Sequence, residues 1–332
     1  MIKAAAMAAA LAASVCCGKQ LQQPQLQDTA IGFGAATAAG SGPAVSKAGE
    51  SGFGRDFAVC GVKSTSSGKQ FIFPGYTVRY ENQAYNYVFG TQTVRYWDVQ
   101  ASGYSFWGYS PVSKASVIPS YLAAISAEML PQDAQDFYYS DVNDIAPSAY
   151  GKQVKLSFNR LGSRVRFGFY ETLAGMGVTE LVFSVKGQFN AKARYRLSAQ
   201  GISLETSVKE QEISVPTLPG PIQSGSSLLT EGRDITAWIP VLPMASTGMS
   251  LTIESCIFTL DGDPSQTMHL VNPIEVSIPQ EYTNLLPNKD YSFIFQISSV
   301  EEDFNHIIFG FQGAIVSDWA DNGAEGTYDF IP

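Results

Sequence analysis

A chain of 332 residues is too long for one ordinary β-sandwich and fits two domains of usual size, each able to bury a core. With 12% aromatics, 30 Gly, 17 Pro and no sustained helical period, it points to an all-β protein with many turns. A formal charge of −9 excludes the clustered Lys and Arg surface that a nucleic-acid partner needs.

The N-terminus carries Lys3 and then Ala4–Val15, an Ala-rich apolar run too short to cross a bilayer as a helix, which is a signal-peptide pattern. Cys16-Cys17-Gly18 follows, and a Cys closing such a run resembles the lipobox of bacterial lipoproteins, so residues 1–17 are expected to be a lipoprotein signal peptide. Either Cys16 or Cys17 would then carry the fatty-acyl (palmitate) anchor; simple signal cleavage is the alternative. Each buried methylene of such an anchor adds about 0.8 kcal/mol of membrane affinity. Residues 18–55 begin with a Gln-rich tether and continue with Ile31-Gly-Phe33-Gly-Ala35, a short strand pattern, and a loop of Ala, Gly and Ser. Arg55, the first Arg of the chain, ends that loop immediately before the strand-like Phe57–Lys63. A basic residue in an exposed loop of small residues is a ready site for a trypsin-like protease, or simply a surface side chain.

Phe71–Pro111 concentrates aromatics in strand-like segments: Tyr76–Tyr80, Tyr85–Phe89, Tyr96–Asp98 and Tyr104–Pro111. Aromatics at alternating positions point to core; exposed on a surface, Trp97 and Trp107 could instead stack on sugars. Ser120–Met129 fits a short helix or a strand equally well. In Val154–Phe169, Val154, Leu156 and Phe158 alternate with polar residues, and so do Val165, Phe167 and Phe169. With only Arg160–Ser163 between the two runs, a hairpin with one wet face is expected, and its apolar face must be covered by a second layer. The Gly-bearing stretch Thr172–Gly177 is the expected domain boundary, dividing an N-terminal unit, 56–172, from a C-terminal one, 173–332. Candidate strands of the second unit are Leu181–Val185, Ala193–Leu197, Ile202–Val208, Thr236–Leu242, Ser250–Leu260, Ile274–Ile278, Tyr291–Ile297 and Ile307–Phe311.

Catalytic chemistry has little local support. His269 and His306 stand alone in their segments, against both a zinc site and a His-based triad. Ser64–Gln70 has the wrong glycine spacing for a phosphate loop. Asp261–Ser265 and Asp318–Asp329 match calcium loops only in part, and a tight turn explains them as well. No enzyme activity, metal or cofactor is expected. Cys60 and Cys256, far apart in strand-like segments, are expected as buried inert thiols, a disulfide being the alternative.

Taken in order, Ile31-Gly-Phe33, Phe57–Val62, Tyr96-Trp97-Asp98 with Tyr104–Pro111, Asp136–Tyr139, Val154–Leu161 with Val165, Leu286–Tyr291 and Ser317-Asp318-Trp319 resemble the fimbrillin family, lipoprotein-derived subunits of surface pili. The resemblance implies two tandem transthyretin-like β-sandwiches and an outer-membrane, lipid-anchored precursor. It also implies assembly by donor-strand exchange once an Arg-specific surface protease has cut, here after Arg55. The cut would release the strand bearing Ile31 and Phe33. A C-terminal donor strand from another fimbrial subunit, here from Gly313–Pro332 with Ile315, Val316, Phe330 and Ile331 as fillers, would replace it and make a head-to-tail polymer. Function is therefore expected as a fimbrial subunit or accessory adhesin; the alternative is a surface lipoprotein that binds glycans through exposed aromatics.

Overall fold

The computed structural model describes residues 29–37, 53, 55–114, 116–117, 125–215, 217–225, 229–230, 233–245, 248–261, 263–270, 272–299 and 307–318. Cys16, Cys17, His306, Trp319, Phe330 and Ile331 lie outside these residues. In chain order the strands are β1 (Phe33–Thr37), β2 (Phe57–Thr65), β3 (Gly68–Glu81), β4 (Ala84–Asn86), β5 (Gly103–Ser110), β6 (Ser116–Val117), β7 (Ile125–Met129), β8 (Tyr138–Ser140), β9 (Asn143–Ile145) and β10 (Val154–Arg160). They continue with β11 (Ser163–Thr172), β12 (Met176–Ser198), β13 (Gly201–Ser214), β14 (Leu218–Pro219), β15 (Ile239–Val241), β16 (Met249–Leu260), β17 (Asp263–His269), β18 (Ile274–Ile278), β19 (Lys289–Ser299) and β20 (Ile307–Asp318). The protein is all-β, as the aromatic and turn-rich composition implies.

The first sheet runs β1-β10-β8-β5-β2-β3-β4, with β9 on β5. Its strands are antiparallel except at one end, where β1 lies parallel to β10 with Phe33 opposite Val154 and Thr37 opposite Phe158. One face carries a core of Ile31, Phe33, Phe57, Val59, Phe73, Trp97, Phe106 and Phe158. Gly61 of β2 lies against this core because a Cβ there would come within 2.8 Å of the Phe106 ring. The opposite face of the same strands is also covered: Ala58, Cys60, Val62, Trp107 and Tyr109 pack with Phe137, Leu161, Ala193, Tyr195 and Leu197. Burial on both faces explains why Phe57–Val62 is a continuous apolar run without alternation.

In the C-terminal half a four-stranded sheet, β15-β11-β19-β20, faces the sheet β17-β16-β12-β7-β6, to which β13, β14 and β18 also pair. Val165, Phe167 and Phe169 of β11 and Tyr291, Phe293, Phe295 and Ile297 of β19 meet Val178, Leu181, Phe183, Leu251, Ile253 and Phe258 across the sandwich. Strand β12 is long enough to serve twice. Its first half builds this core, and Ala193, Tyr195 and Leu197 near its end pack against the first sheet.

The hairpin expected at Val154–Phe169 does not form. β10 joins β1 and β8 in the first sheet, whereas β11 pairs with β15 and, in parallel, with β19. The chain changes sheets at buried Leu161, whose N–H donates to the Phe137 carbonyl at 2.9 Å. Period-2 alternation fixes which face of a strand is apolar, but it does not fix which sheet the strand joins. Ile125–Met129, open between helix and strand from its pattern, is strand β7 and pairs with the end of β12.

Candidate functional site

In the segment from Thr29 to Arg55, Ile31, Phe33 and Phe53 supply core to a sheet whose remaining strands all follow them. Ile31 is 1% and Phe33 2% exposed. Gly32 stands between them and Gly34 follows, so the short sequence Ile-Gly-Phe-Gly-Ala turns its bulk to one face. The Phe33 ring meets Phe73 at 5.1 Å and Tyr87 and Phe106 at 5.7 Å, edge-on in each case, a favoured aromatic geometry.

Hydrogen bonds hold the described part of the segment from Thr29 to Ala35 and at Phe53. Ile31 N–H donates to the Arg95 carbonyl at 2.8 Å, Trp97 N–H to the Thr29 carbonyl at 3.2 Å, and Val154 N–H to the Gly32 carbonyl at 2.8 Å. Gln153 Nε2 donates to the Phe33 carbonyl at 2.8 Å, and Phe53 N–H to the Ala35 carbonyl at 3.1 Å. The segment therefore sits in a slot walled by β10 and by Arg95–Trp97. The second wall is itself fastened. Arg95 Nη2 donates to the Tyr76 hydroxyl at 2.7 Å, and Gln92 exchanges bonds with the backbone of Thr77.

Phe53 fills the remaining part of the core, 6% exposed, stacked on Phe158 at 4.3 Å and edge-on to Tyr138 at 5.1 Å. Two residues later Arg55 reaches the surface, its side chain 51% exposed. Its guanidinium lies 3.8 Å from Asp136 and 5.1 Å above the Tyr138 ring. The backbone on the other side of the Arg55–Asp56 bond is fixed: Ser110 Oγ donates to the Asp56 carbonyl at 2.7 Å, and Tyr80 N–H to Asp56 Oδ1 at 2.8 Å. Buried Phe53 thus precedes, and anchored Asp56 follows, an exposed Arg.

Ile315 and Val316 lie in β20, opposite Ser292 and Tyr291 of β19. Val316 is 51% exposed at the rim of the sandwich. Trp97 and Trp107 are 1% and 0% exposed, so neither offers a ring face to a sugar. Cys60 and Cys256 are free and buried in different cores, and burial pushes the Cys60 thiol up to about 12 and raises the Cys256 thiol as well. In the Asp261–Ser265 turn, the Asp263 carboxylate is taken by Ser265 and Gln266; Ser64–Gln70 is the hairpin turn between β2 and β3. Among the described residues no cluster of His, Cys, Asp and Glu could hold a metal ion. Asp98 is held below the usual carboxylate range by a 2.8 Å bond from Lys63 Nζ.

Three parts of this seat were not read from sequence in this role: Phe53, Gln153 and the Arg95–Trp97 wall, of which Tyr96–Trp97 was expected only within a strand-like segment. Phe53 had a signal, being the one aromatic residue in the stretch 38–54. Gln153 and the wall had none, since their roles depend on which backbone passes beside them.

A sequence model of a family described as fimbrillin-like matches residues 49–319. A search of curated proteins finds no match. Among solved structures, a candidate cell adhesion protein from Bacteroides uniformis is 15% identical with a TM-score of 0.44, over 88% of this chain and 100% of that one. One from Bacteroides ovatus is 13% identical with a TM-score of 0.47, over 88% and 97%. One from Parabacteroides distasonis is 10% identical with a TM-score of 0.48, over 89% and 98%.

Proposed function

The chain belongs to the fimbrillin-like family, and from that premise we propose that it is a cell-surface fimbrial subunit or fimbrial adhesin that polymerises by exchanging its first strand. In this reading the precursor is tethered to the outer membrane by a lipid on Cys16 or Cys17. An Arg-specific protease cuts after Arg55, and the segment carrying Ile31, Phe33 and Phe53 leaves. A neighbouring subunit then inserts a strand from its C-terminal region, where Ile315, Val316, Phe330 and Ile331 are the candidate fillers. Donor and acceptor surfaces differ, so the contact is head-to-tail and the polymer open-ended.

The observation that carries this reading is the construction of the slot. Departure of the segment would strip three bulky side chains from one core and leave unpaired N–H and C=O groups on Arg95–Trp97 and on β10, together with the Gln153 amide. Such a surface is costly to leave open, and an added strand restores both the ladder and the burial. The burial of Trp97 and Trp107 argues against a glycan site built on these two rings.

N-terminal sequencing of the surface-exposed protein tests the proposal. A start at Asp56 in material that runs as SDS-resistant ladders is the expected result. An uncut, lipidated monomer on the same cells would overturn the polymerising role.

A further inference from the structure

Gln153 occupies a place in the slot that no apolar contact explains. It precedes β10, its residue is exposed to solvent, and yet its side chain folds across β1 so that Nε2 donates to the Phe33 carbonyl at 2.8 Å. The next residue of the strand is Gly34. A Cβ built there would lie 3.0 Å from Gln153 Oε1 and 3.1 Å from its Cδ, tighter than ordinary van der Waals contact. Gly32, the other outward glycine, has nothing within 4 Å of a built Cβ. The slot therefore leaves one outward position of the strand free and covers the other.

Resting on the strand-exchange reading above, we infer that Gln153 is a specificity-determining residue of the slot, selecting an extended segment of the order bulky aliphatic, any residue, Phe, Gly. The two apolar pits take the residues matching Ile31 and Phe33. The Gln153 amide caps the carbonyl of the aromatic residue, and it keeps that position unshifted only when the following residue has no side chain, since a Cβ there would lie 3.0 Å from Oε1. A β-branched residue there must push the amide off the carbonyl. The chain's own first strand, with Gly34 in fourth place, keeps this contact, whereas Phe330-Ile331 would put a β-branched residue there, so a donor strand from that region would enter with the amide displaced.

Two measurements test this. In the uncut full chain, hydrogen exchange of the Val154 amide, which bonds to the Gly32 carbonyl, reports opening of the strand. Gly34→Val and Gln153→Ala are each expected to raise opening about three- to tenfold, the range for losing one hydrogen bond. The double variant is expected to be no worse than Gln153→Ala alone, because the clash partner is gone. Additive effects, or a neutral Gly34→Val, would overturn the inference. In protein cleaved after Arg55, a labelled peptide of residues 31–37 is compared with the same peptide carrying Gly34→Val. Wild-type protein is expected to prefer the first about three- to tenfold relative to the Gln153→Ala protein, a comparison that cancels the intrinsic strand preference of Val. Equal discrimination in the two proteins sinks the role of Gln153 and leaves strand exchange standing. Failure of both peptides to bind either protein sinks strand exchange itself.

Discussion

Replacing Phe33 by Ala asks whether the first strand is part of the cooperative core. The side chain is 2% exposed and touches three aromatic rings contributed by β3, β5 and the loop after β4. Truncating such a residue costs about 3–5 kcal/mol, the transfer free energy plus the cavity left between rings that cannot collapse freely. Urea unfolding followed by Trp fluorescence reads this directly, since Trp97 and Trp107 are buried reporters of the same sheet. Val88→Ala, at a position 44% exposed, is the control and should stay within about 0.5 kcal/mol. The same loss acts on the strand's hold after cleavage at Arg55. At about 1.4 kcal/mol per tenfold, the released segment should be retained at least a hundredfold more weakly in the variant, measured by gel filtration of the cleaved protein. A loss below about 1 kcal/mol in the uncut protein would show that the strand opens without disturbing the core, and the reasoning from burial to a plug would fail.

Other expectations follow from the same geometry. Limited trypsin treatment of folded protein should cut between Arg55 and Asp56, and Arg55→Gln should remove that product while leaving the remaining fragments unchanged on a mass map. Ending the chain at Asp318, which deletes Phe330 and Ile331 but keeps β20, should abolish SDS-resistant ladders if those two residues are the donor; ladders of undiminished length would place the donor within β20. Residues 307–313 repeat the order bulky, any, Phe, Gly at Ile307–Gly310, so a peptide of that sequence should compete for the emptied slot, and its failure in large excess would also exclude it as donor. Asp98 carries a depressed pKa in the fold through Lys63, so the pair stabilises the protein above the unfolded carboxylate range near pH 4, and that contribution disappears as pH falls through the depressed value. Lys63→Met should flatten the acid limb of a stability–pH curve by no more than about 1 kcal/mol, because the pair is partly exposed. Cys60 and Cys256 should resist iodoacetamide at pH 8 in the native protein and react once it is unfolded, read by peptide mapping.

Much of the strand content was legible from alternation, and its limits are instructive. β10 and β11 each show the predicted apolar face, with Val154, Leu156 and Phe158 in one core and Val165, Phe167 and Phe169 in another. Their partners were not legible, because a four-residue connection fits a hairpin and a crossing between sheets equally well. Leu181–Val185 and Ala193–Leu197 looked like separate strands but belong to one, β12, whose alternation persists while its covering layer changes. In the aromatic-rich region, Tyr96-Trp97-Asp98 makes only an isolated bridge, Tyr96 opposite Ala30. Ile31 and Phe33 could be picked out as an isolated apolar pair; that Phe53 completes their work could not, since being the one aromatic in the stretch 38–54 does not say which rings it stacks on.

The reverse face of the first sheet bears on how a slot could stay receptive once emptied. An open groove in an isolated small sheet tends to close on itself, because neighbouring side chains gain by filling the void. Here Ala58, Cys60, Val62, Trp107 and Tyr109 hold β2 and β5 against Tyr195, Leu197 and Phe137 on the face away from the slot, with Phe137 and Tyr195 in ring contact at 4.3 Å. That second packing surface does not depend on Ile31, Phe33 or Phe53, none of which belongs to it. Loss of the first strand would therefore remove one of two supports from the sheet and leave the other, keeping β2 and β5 at the floor of the slot in place for an incoming strand. Tyr195→Ala tests this coupling. It removes the ring beneath Phe137 without touching the slot, and about 3–5 kcal/mol of stability should go with it, as for other buried aromatics. If the slot depends on that support, the cleaved Tyr195→Ala protein should also bind the 31–37 peptide more weakly than cleaved wild type, even under conditions where both remain folded. Unchanged peptide affinity in the variant would mean that the floor of the slot stands without the second core.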